Sequence, residues 1–311
     1  MVQVAAAVHF ASPAYPYAGG VPGSPYTDLD RPPLSAARLR RALVEPYGPW
    51  SRLELRTETG STNADVAEAA RSGEPEGLVV VAEQQTAGRG RRGRVWQSPP
   101  RAGIATSVLL RPGEAVPARG WSPAPPAGYG WLPLLAGVAL VEAVTLLAEL
   151  DATLKWPNDL LIGGAKCAGI LAEGVPGPGL NDPPAVVLGI GLNVTLRANE
   201  LPELPTGLPA TSLQLAGATA TDRDPLLRAL LRSVADWYAR WRDAGGDATA
   251  SGLREAYLAA CGTIGREVSA LLPDGTTLTG TATTVDPHGQ LLLTTPTAQH
   301  PLAAADIRHL R

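Results

Sequence analysis

The chain has 311 residues, of which 45% are apolar, and its formal net charge is −3. This length and apolar content suit a globular protein with one substantial core and a small second domain. They exclude a disordered chain and a strongly basic nucleic-acid-binding protein, so the overall charge identifies no partner.

The first 34 residues contain six prolines and several glycines, which predicts a tail without a fold of its own. No basic segment precedes the first apolar residues, so the N-terminus does not match a secretory signal. The longest apolar segment, 131–150, contains Pro133, Glu142 and Glu149 and has helical periodicity, which favours a core helix over a membrane span. We therefore expect a cytoplasmic protein that contacts no membrane.

Between the tail and residue 260, the hydrophobic pattern predicts both helices and strands. A helix at 35–46 and a strand at 52–57 come first, and Ser61 or Thr62 can cap a helix that ends near residue 73. The remaining predicted elements are strands at 78–85 and 104–111, a Pro/Gly-rich surface insertion at 112–130, the helix at 131–150, two or three short strands within 153–174 with a turn at 163–164, a strand at 185–194, and helices at 224–243 and 250–260.

Beyond Gly262 the pattern changes to short strands at 266–272, 276–286 and 291–295, separated by turn residues. This pattern predicts a small β-barrel, which is too short to have much core of its own and should pack on the main domain. The expected organisation is a tail at 1–34, a main domain at 35–260 and a barrel at 262–311.

Arginine and lysine are very unequally represented among the basic residues. Of 26 basic residues only Lys155 and Lys166 are lysines, and they fall in one short stretch. Lysine and arginine differ in geometry and hydration, so a lysine in an arginine-rich chain indicates that a compact ammonium group is needed there. The alternative is chance clustering.

Residues 86–100 form a loop, rich in Arg and Gly, between two predicted strands. Gly88, Gly90 and Gly93 formally match the dinucleotide fingerprint G-x-G-x-x-G, but no helix opens after them, as that fingerprint requires. The loop also holds four arginines: Arg89, Arg91, Arg92 and Arg94. Arginines among glycines suit close recognition of phosphate or carboxylate. A nucleic-acid patch and a solvated turn are the weaker alternatives, because the chain lacks a basic footprint.

The second motif is the run KWPND at 155–159, followed by Lys166. A hairpin between them would fold Lys166 back beside the first strand and bring two cations and the Asn158 amide near one cleft. Buried lysines without anionic partners are costly, so a ligand that carries phosphate would explain both lysines. A pair with Asp159 would explain one of them.

Five segments together resemble the successive signature blocks of biotin protein ligases, in the order and at the spacings of that family. They are STN at 61–63, EQQTAGRGRRGRVW at 83–96, KWPNDLL at 155–161, KCAGIL at 166–171 and GIGLNV at 189–194. The resemblance spans residues 50–311. It implies an α+β protein with a mixed β-sheet catalytic domain flanked by helices, the class II synthetase-like biotin/lipoate ligase fold, and a small C-terminal SH3-like β-barrel.

The resemblance also implies a biotin site. The matching residues are Ser61, Thr62, Asn63, Gln85, Gly88, Arg89, Gly90, Arg91, Lys166, Gly169, Gly189 and Gly191. Ser61, Thr62 and Gln85 are expected to hydrogen-bond the ureido ring and neighbouring polar atoms. Gly88 is expected to permit close approach, the later glycines to line the pocket floor, and the loop arginines to close over biotin and its adenylate.

An adjoining ATP site is implied in the same way. The matching residues are Arg91, Arg94, Trp96, Lys155, Asn158, Lys166 and Asn193. Lys166 is expected to bridge the biotin carboxylate and the α-phosphate, and it forms the catalytic set with Arg89 and Arg91. Trp96 is expected to flank the nucleotide. Mg²⁺ is expected to arrive with ATP, and no protein side chain is assigned to it.

The implied reaction has two steps. The biotin carboxylate attacks the α-phosphorus of MgATP, and a lysine of a biotin carboxyl carrier domain then attacks the mixed anhydride. Such a reaction depends on positioning and charge neutralisation, not on a protein nucleophile. Cys167 and Cys261 are accordingly expected to be ordinary thiols. The histidines all lie outside the five segments: His9, His288, His300 and His309.

Other functions remain open on the sequence. A lipoate or octanoate ligase shares the catalytic fold, although the GRGRRG loop and the KWPND run favour biotin. Relatives that act as repressors carry a winged helix-turn-helix, whereas this chain begins with a Pro/Gly tail and one short helix. We therefore expect no binding to nucleic acid, and a monomer or weak homodimer.

Overall fold

Seven strands form a mixed β-sheet at the centre of the main domain. They are β1 (Arg52–Arg56), β2 (Leu78–Ala82), β3 (Gly103–Leu110), β4 (Ala152–Lys155), β5 (Asp159–Ile162), β6 (Ala165–Val175) and β7 (Ala185–Asn193). Their order is β1-β2-β3-β7-β6-β5-β4, with β1 and β2 parallel and all other neighbours antiparallel. The computed structural model describes residues 31–310 except 178, 180–181 and 205–206, so the predicted tail lies almost entirely outside the described residues.

The helices of the described chain are α1 (Ala36–Leu43), α2 (Thr62–Arg71), α3 (Trp131–Ala148), α4 (Arg223–Asp243) and α5 (Leu253–Ala260). By length and composition α3 is apolar enough to cross a membrane, yet 67% of it is buried inside the fold. It packs against α4, α5 and the sheet. Burial on several sides accounts for its apolar surface, as expected of a core helix.

A tight turn at Gly163 and Gly164 joins β5 to β6, and both glycines have positive φ (57° and 80°), as this kind of turn requires. Strand pairing sets Lys155 of β4 opposite Asp159 of β5, and Lys166 lies on the next strand, β6. The predicted hairpin is therefore confirmed and brings both lysines to Asp159, although β6 pairs with β5 and not with β4. Three short strands are present where two or three were predicted.

The C-terminal segment forms a five-stranded antiparallel sheet. Its strands are β8 (Glu267–Leu271), β9 (Thr277–Val285), β10 (Leu291–Thr294), β11 (Gln299–Leu302) and β12 (Asp306–His309), in the order β11-β10-β9-β8-β12. The α+β fold with a small C-terminal β domain is confirmed. The strands β11 and β12 were not predicted, because each has a single large aliphatic residue, Leu302 or Ile307, and so no hydrophobic run.

Two buried tryptophans join the C-terminal β domain to the main domain. The Trp131 indole donates to the carbonyl of Pro287 (2.9 Å), and the Trp156 indole donates to the carbonyl of Gly289 (3.3 Å). The Trp156 amide also donates to Thr263 Oγ1 at 3.1 Å. These bonds satisfy polar groups that the contact between the domains buries.

Two details differ from the prediction. The segment 112–130 is more than a surface insertion, because Trp121 and Ala124 are buried in the core and the Trp121 indole donates to Asp243 at 2.7 Å. Ser61 occupies the N-cap position of α2, but its hydroxyl makes no capping bond. The sequence signal for a cap therefore marked the helix start correctly, although no side-chain bond caps the helix there.

Candidate functional site

A cavity of about 320 Å³ lies between the Arg/Gly loop, the start of α2 and the strands β6 and β7. Of the predicted site residues, all but Gly88 and Lys155 line it: Ser61, Thr62, Asn63, Gln85, Arg89, Gly90, Arg91, Arg94, Trp96, Asn158, Lys166, Gly169, Gly189, Gly191 and Asn193. Segments far apart in the chain thus meet at one cavity.

The cavity floor is arranged around the indole of Trp96. Gly169 on β6 and Gly191 on β7 are cross-strand neighbours, and a Cβ on them would lie 3.0 Å and 2.5 Å from indole atoms. A Cβ on Gly189 would lie 1.9 Å from Oδ1 of Asn63. Contacts this short are not tolerated in a packed interior. The predicted floor glycines therefore make room for two site side chains.

Gly88 does not line the cavity and is packed within the loop. A Cβ there would lie 2.3 Å from the carbonyl oxygen of Trp96 and 2.8 Å from Nε2 of Gln85. The Trp96 amide donates to the Gly88 carbonyl (2.9 Å), and the Gly90 amide donates to the Arg94 carbonyl (2.7 Å). The close approach that needs glycine here is made by the chain itself, which closes the loop as a narrow hairpin.

A chain of hydrogen bonds runs behind one end of the cavity. The Thr62 amide donates to Gln85 Oε1 at 2.9 Å, and Thr62 Oγ1 lies 2.7 Å from Oγ of the fully buried Ser107. Ser107 Oγ lies 2.6 Å from Asn63 Oδ1, and the Asn63 amide nitrogen donates to Glu173 Oε2 at 2.7 Å. We refer to this region as the polar end of the cavity.

The carboxylate of Glu173 sets the direction of these bonds. A carboxylate only accepts, so the Asn63 amide nitrogen faces Glu173 and its oxygen faces Ser107, which must donate to it. The Thr62 hydroxyl then donates either to Ser107 or to Gln85 Oε1, which is 3.1 Å away. In both cases its proton is used inside the protein, and Thr62 offers only lone pairs to a ligand.

The opposite end of the cavity is cationic. Lys166 Nζ lies 2.5 Å from Oδ1 of Asp159 and 5.8 Å from the centre of the Trp96 ring. Lys155 Nζ lies 3.9 Å from the other oxygen of Asp159. Burial lowers the pKa of Lys155, Asp159 opposes this shift, and Lys166 adds to it. Lys155 is thus a buried cation behind Asp159 and does not line the cavity.

The Arg/Gly loop is held from the cavity side by Arg91. Its Nη1 donates to Asn158 Oδ1 at 3.0 Å, and Asn158 Nδ2 donates to the carbonyl of Ile170 at 3.1 Å. Burial lowers the pKa of Arg91, while Asp306 and Asp159 act to raise it. The guanidinium is therefore partly desolvated beside the cavity, where its attraction for an anion is strongest.

On its other side, the loop contacts the C-terminal β domain. Arg92 Nη1 donates to Oδ2 of Asp306 at 3.0 Å, and Arg94 contacts the same oxygen. Burial acts to raise the pKa of Asp306, but the two arginines together bring it below its ordinary value. Asp306 is the first residue of β12, so the loop is supported by both domains.

Sequence reasoning missed several residues of the site. Ser107, Glu173 and Asp306 support it without lining the cavity, and Glu203 lies on a lining segment, 202–204, that has no counterpart among the recognised motifs. The one signal in the sequence was the polar pair Thr106 and Ser107 within the otherwise apolar strand β3. The others are brought to the site by tertiary packing.

Among the described residues, no three His, Cys, Asp or Glu side chains come together as a set of metal ligands. The carboxylates that line the cavity are Asp159 and Glu203. Mg²⁺ in phosphate-binding sites commonly uses one or two carboxylates together with the phosphates of its ligand. This donor set fits an ion carried in by a phosphate-bearing ligand.

Taken together, these groups suit a ligand with a neutral polar head and an anionic end. The polar end pairs hydrogen-bonding groups with such a head, and Lys166 with the loop arginines faces the anion. Cys167 is buried beside Lys166, and burial raises the pKa of its thiol to about 12. A thiol held in its protonated form is a poor nucleophile.

The chain is similar to known proteins both in sequence and in structure. Residues 57–193 match the biotin/lipoate A/B protein ligase family, and residues 263–310 match the biotin protein ligase C-terminal domain. The chain is 40% identical to the biotin–[acetyl-CoA-carboxylase] ligase of Mycobacterium tuberculosis, over 92% of this chain and 100% of that protein. It is 35% identical to the bifunctional ligase/repressor BirA of Bacillus subtilis, over 79% and 70% of the two chains. A biotin protein ligase from Aquifex aeolicus, solved in complex with biotin and ATP, has a TM-score of 0.64 at 26% identity, over 84% of this chain and 100% of that one.

Ser107→Ala is expected to lower the free energy of unfolding by about 1–3 kcal/mol, because it leaves the buried oxygen of Asn63 without its donor. Urea unfolding followed by tryptophan fluorescence measures this change. Ser51→Ala, at an exposed serine that also makes one hydrogen bond, is the control and should cost less than about 0.5 kcal/mol. A loss for Ser107→Ala as small as that of the control would contradict the hydrogen-bond chain.

Proposed function

The chain belongs to the biotin/lipoate A/B protein ligase family, and we propose that its cavity binds biotin at the polar end and ATP at the cationic end. The protein is an ATP-dependent biotin protein ligase whose substrates are ATP and biotin, and Mg²⁺ enters with ATP. It forms biotinyl-5'-AMP and transfers biotin to a lysine of a biotin carboxyl carrier protein.

The assignment of biotin to this cavity rests on the wall formed by Ser61, Thr62 and Gln85. Thr62 offers lone pairs, and Gln85 has its oxygen occupied by the Thr62 amide, so its amide nitrogen is the group left to donate. A ureido ring presents N–H donors and a carbonyl acceptor and so matches a wall that holds both kinds of partner. The tail of octanoate or lipoate would leave these groups unpaired, and sites built for hydrogen bonding reject such ligands strongly.

At the cationic end we assign Lys166 to the biotin carboxylate and the α-phosphate. Its pair with Asp159 keeps the ammonium at the cavity in the absence of an anion. The incoming carboxylate and phosphate share this ammonium with Asp159, and a charge-assisted bond of this kind strengthens as charge develops on the phosphoryl oxygens. Lys155 is a positioning residue in this scheme, because it contacts Asp159 and does not line the cavity.

The remaining site residues are assigned by their place around the cavity. Arg91, Arg94, Trp96, Asn158 and Asn193 belong to the nucleotide side, and Arg89 and Gly90 to the part of the loop that covers the ligands. The carboxylate oxygen of biotin attacks the α-phosphorus, and pyrophosphate leaves with its charge offset by the arginines and Mg²⁺. The carrier lysine then attacks the acyl carbon, and AMP leaves. Positioning and charge neutralisation supply the catalysis.

The loop has a second task in this proposal. The mixed anhydride is reactive toward water and toward amines in general, so it must be covered until the carrier arrives. Arg89 lines the cavity from the loop and is exposed, which suits a residue that moves with the loop when it opens. Loop closure and opening thus separate the two half-reactions.

We further propose that the protein acts in the cytoplasm, as a monomer or weak homodimer, without a nucleic-acid partner and without a membrane. The burial of α3 supports the absence of a membrane partner, because this apolar helix packs mostly inside the fold. The absence of a nucleic-acid partner rests on the net charge of −3. Binding to duplex DNA with a steep salt dependence would contradict it.

One experiment tests the function. The protein is incubated with MgATP and, in separate reactions, with biotin, lipoate or octanoate, and pyrophosphate release is measured with and without a biotin carrier domain. Release is expected with biotin, as one enzyme equivalent without the carrier and as continued turnover with it. Release with lipoate or octanoate but none with biotin would assign the cavity to the other branch of the family.

Lys166→Ala is expected to slow biotin adenylation roughly a hundredfold or more, because one charge-assisted contact to the reacting oxygens is lost. Biotin binding should change much less, since its polar head contacts the opposite end. Single-turnover pyrophosphate release and biotin titration separate the two effects. Lys166→Arg keeps the charge with a different geometry, and its adenylation rate should lie between those of Lys166→Ala and wild type. Equal adenylation rates in mutant and wild type would remove Lys166 from this role.

Arg89→Gly is expected to let biotinyl-5'-AMP escape before transfer, because one side chain that covers the ligands is removed. Biotin should then appear on serum albumin added as a bystander, as well as on the carrier domain, and streptavidin blotting measures the ratio. Arg89→Lys, which keeps a long cationic side chain, serves as the control. Strict retention of carrier specificity in Arg89→Gly would count against shielding by the loop.

A further inference from the structure

Asp306 lies in the C-terminal β domain, yet its side chain contacts the Arg/Gly loop of the main domain. Its Oδ2 accepts from Arg92 at 3.0 Å and contacts Arg94. We propose that Asp306 is a positioning residue that holds the Arg/Gly loop over the cavity before any phosphate is bound. The part of this proposal that concerns the adenylate rests on the proposed function, and the part that concerns the loop does not.

The first support is the balance of charge. The loop presents Arg91, Arg92 and Arg94 within four residues, next to the two lysines of the hairpin. These cations repel one another, and over such short distances salt screens the repulsion only partly. Asp159 is paired with Lys166 at 2.5 Å, so it is largely committed to the lysines. Asp306 is the carboxylate that meets the loop arginines themselves.

The second support is the direction of Arg92. This residue has φ 55° and ψ 39°, a left-handed conformation that side chains other than glycine rarely adopt. Its guanidinium does not line the cavity and instead meets Asp306. The conformation costs free energy, and a contact at the far side of the loop compensates for it. Arg92 is thereby the loop residue dedicated to the C-terminal β domain.

Contacts with the two domains hold the loop from opposite sides. Arg91 joins it to Asn158 on the main domain, and Arg92 and Arg94 join it to the C-terminal domain. Exposed ion pairs contribute little to global stability, but a carboxylate shared by two guanidinium groups and only 17% exposed is a stronger case. A short loop can open without unfolding the core, so a small change in the free energy of its contacts is enough to change how often it opens. We therefore expect substitution of Asp306 to increase the rate of loop opening severalfold and to change the free energy of global unfolding very little.

The contact also predicts a dependence on ligand. Once the phosphates of ATP or the adenylate lie in the cavity, they supply the negative charge that the loop arginines need. The effect of Asp306→Asn on loop opening should then be smaller than in the free enzyme. Asp306 matters most in the free enzyme, where it keeps the loop close to its working position and lowers the rearrangement that binding requires.

The test measures local opening of the loop by limited proteolysis with thermolysin, which cleaves before apolar residues. Val95, exposed in the loop, provides a cleavage site that none of the variants removes. Asp306→Asn and Arg92→Gln are each expected to speed cleavage before Val95 roughly three- to tenfold in the free enzyme, as quantified by mass spectrometry. The double variant should open the loop no further than Asp306→Asn alone, because that change already removes the contact with Arg92.

Controls separate positioning from a structural role. Asp274→Asn removes a carboxylate whose bonds are to Thr276 in its own turn, and it should leave cleavage before Val95 unchanged. Asp306→Glu should restore most of the protection. Bound MgATP and biotin should reduce the difference between Asp306→Asn and wild type. If cleavage before Val95 is unchanged, or rises only together with cleavage throughout the C-terminal domain and a lower melting temperature, the proposal is wrong.

A second readout connects the loop to the reaction. Asp306→Asn is expected to increase the transfer of biotin to a bystander protein severalfold relative to transfer to the carrier, with a smaller effect on adenylation itself. If wild type releases no pyrophosphate with biotin, the proposed function fails while the proteolysis still decides the role of Asp306. Faster loop cleavage with unchanged carrier selectivity would overturn the link between Asp306 and retention of the adenylate.

Discussion

Two carboxylates, Asp159 and Asp306, offset the charge of five cations that stand around one end of the cavity. Three of these cations belong to the Arg/Gly loop and two to the hairpin of β4, β5 and β6. Partly buried charges of one sign can be kept together only if counter-charges come from elsewhere in the fold. Asp159 comes from the hairpin and Asp306 from the C-terminal domain, so both parts of the fold supply counter-charge to the cationic end.

The excess of positive charge is what makes this end a site. With Glu203 and Arg89, which also line the cavity, three carboxylates stand against six cations, and the difference is available to an anionic ligand. At the polar end, by contrast, the hydrogen bonds from Thr62 through Ser107 and Asn63 to Glu173 are made within the protein, so the protons of these groups are not available to a ligand. A neutral head is therefore directed to one end and an anionic group to the other. In the proposed function, this polarity orients biotin so that its carboxylate faces ATP.

Much of the fold was predictable because local pattern and tertiary structure agree. The apolar runs of β2, β3 and β7 and the paired glycines at 163–164 led to the correct elements. The strands β11 and β12 were missed because each has one large aliphatic residue, and their pairing with neighbours supplies what their own sequence lacks. Trp121 was taken as part of a surface insertion, since nothing local indicates that α4 covers it.

For the site, the sequence by itself identified most of the polar residues that line the cavity, because they are concentrated in five short segments; it did not identify Asp159 or Glu203. Tertiary structure decided what they do there. Gly88 closes the loop on itself, and Lys155 lies behind Asp159. Glu173 and Asp306 have no local sequence signal, and they and Ser107 matter through contacts with residues far away in the chain. Hydrogen bonds and ion pairs act over a few ångströms in space, and sequence order does not record that distance.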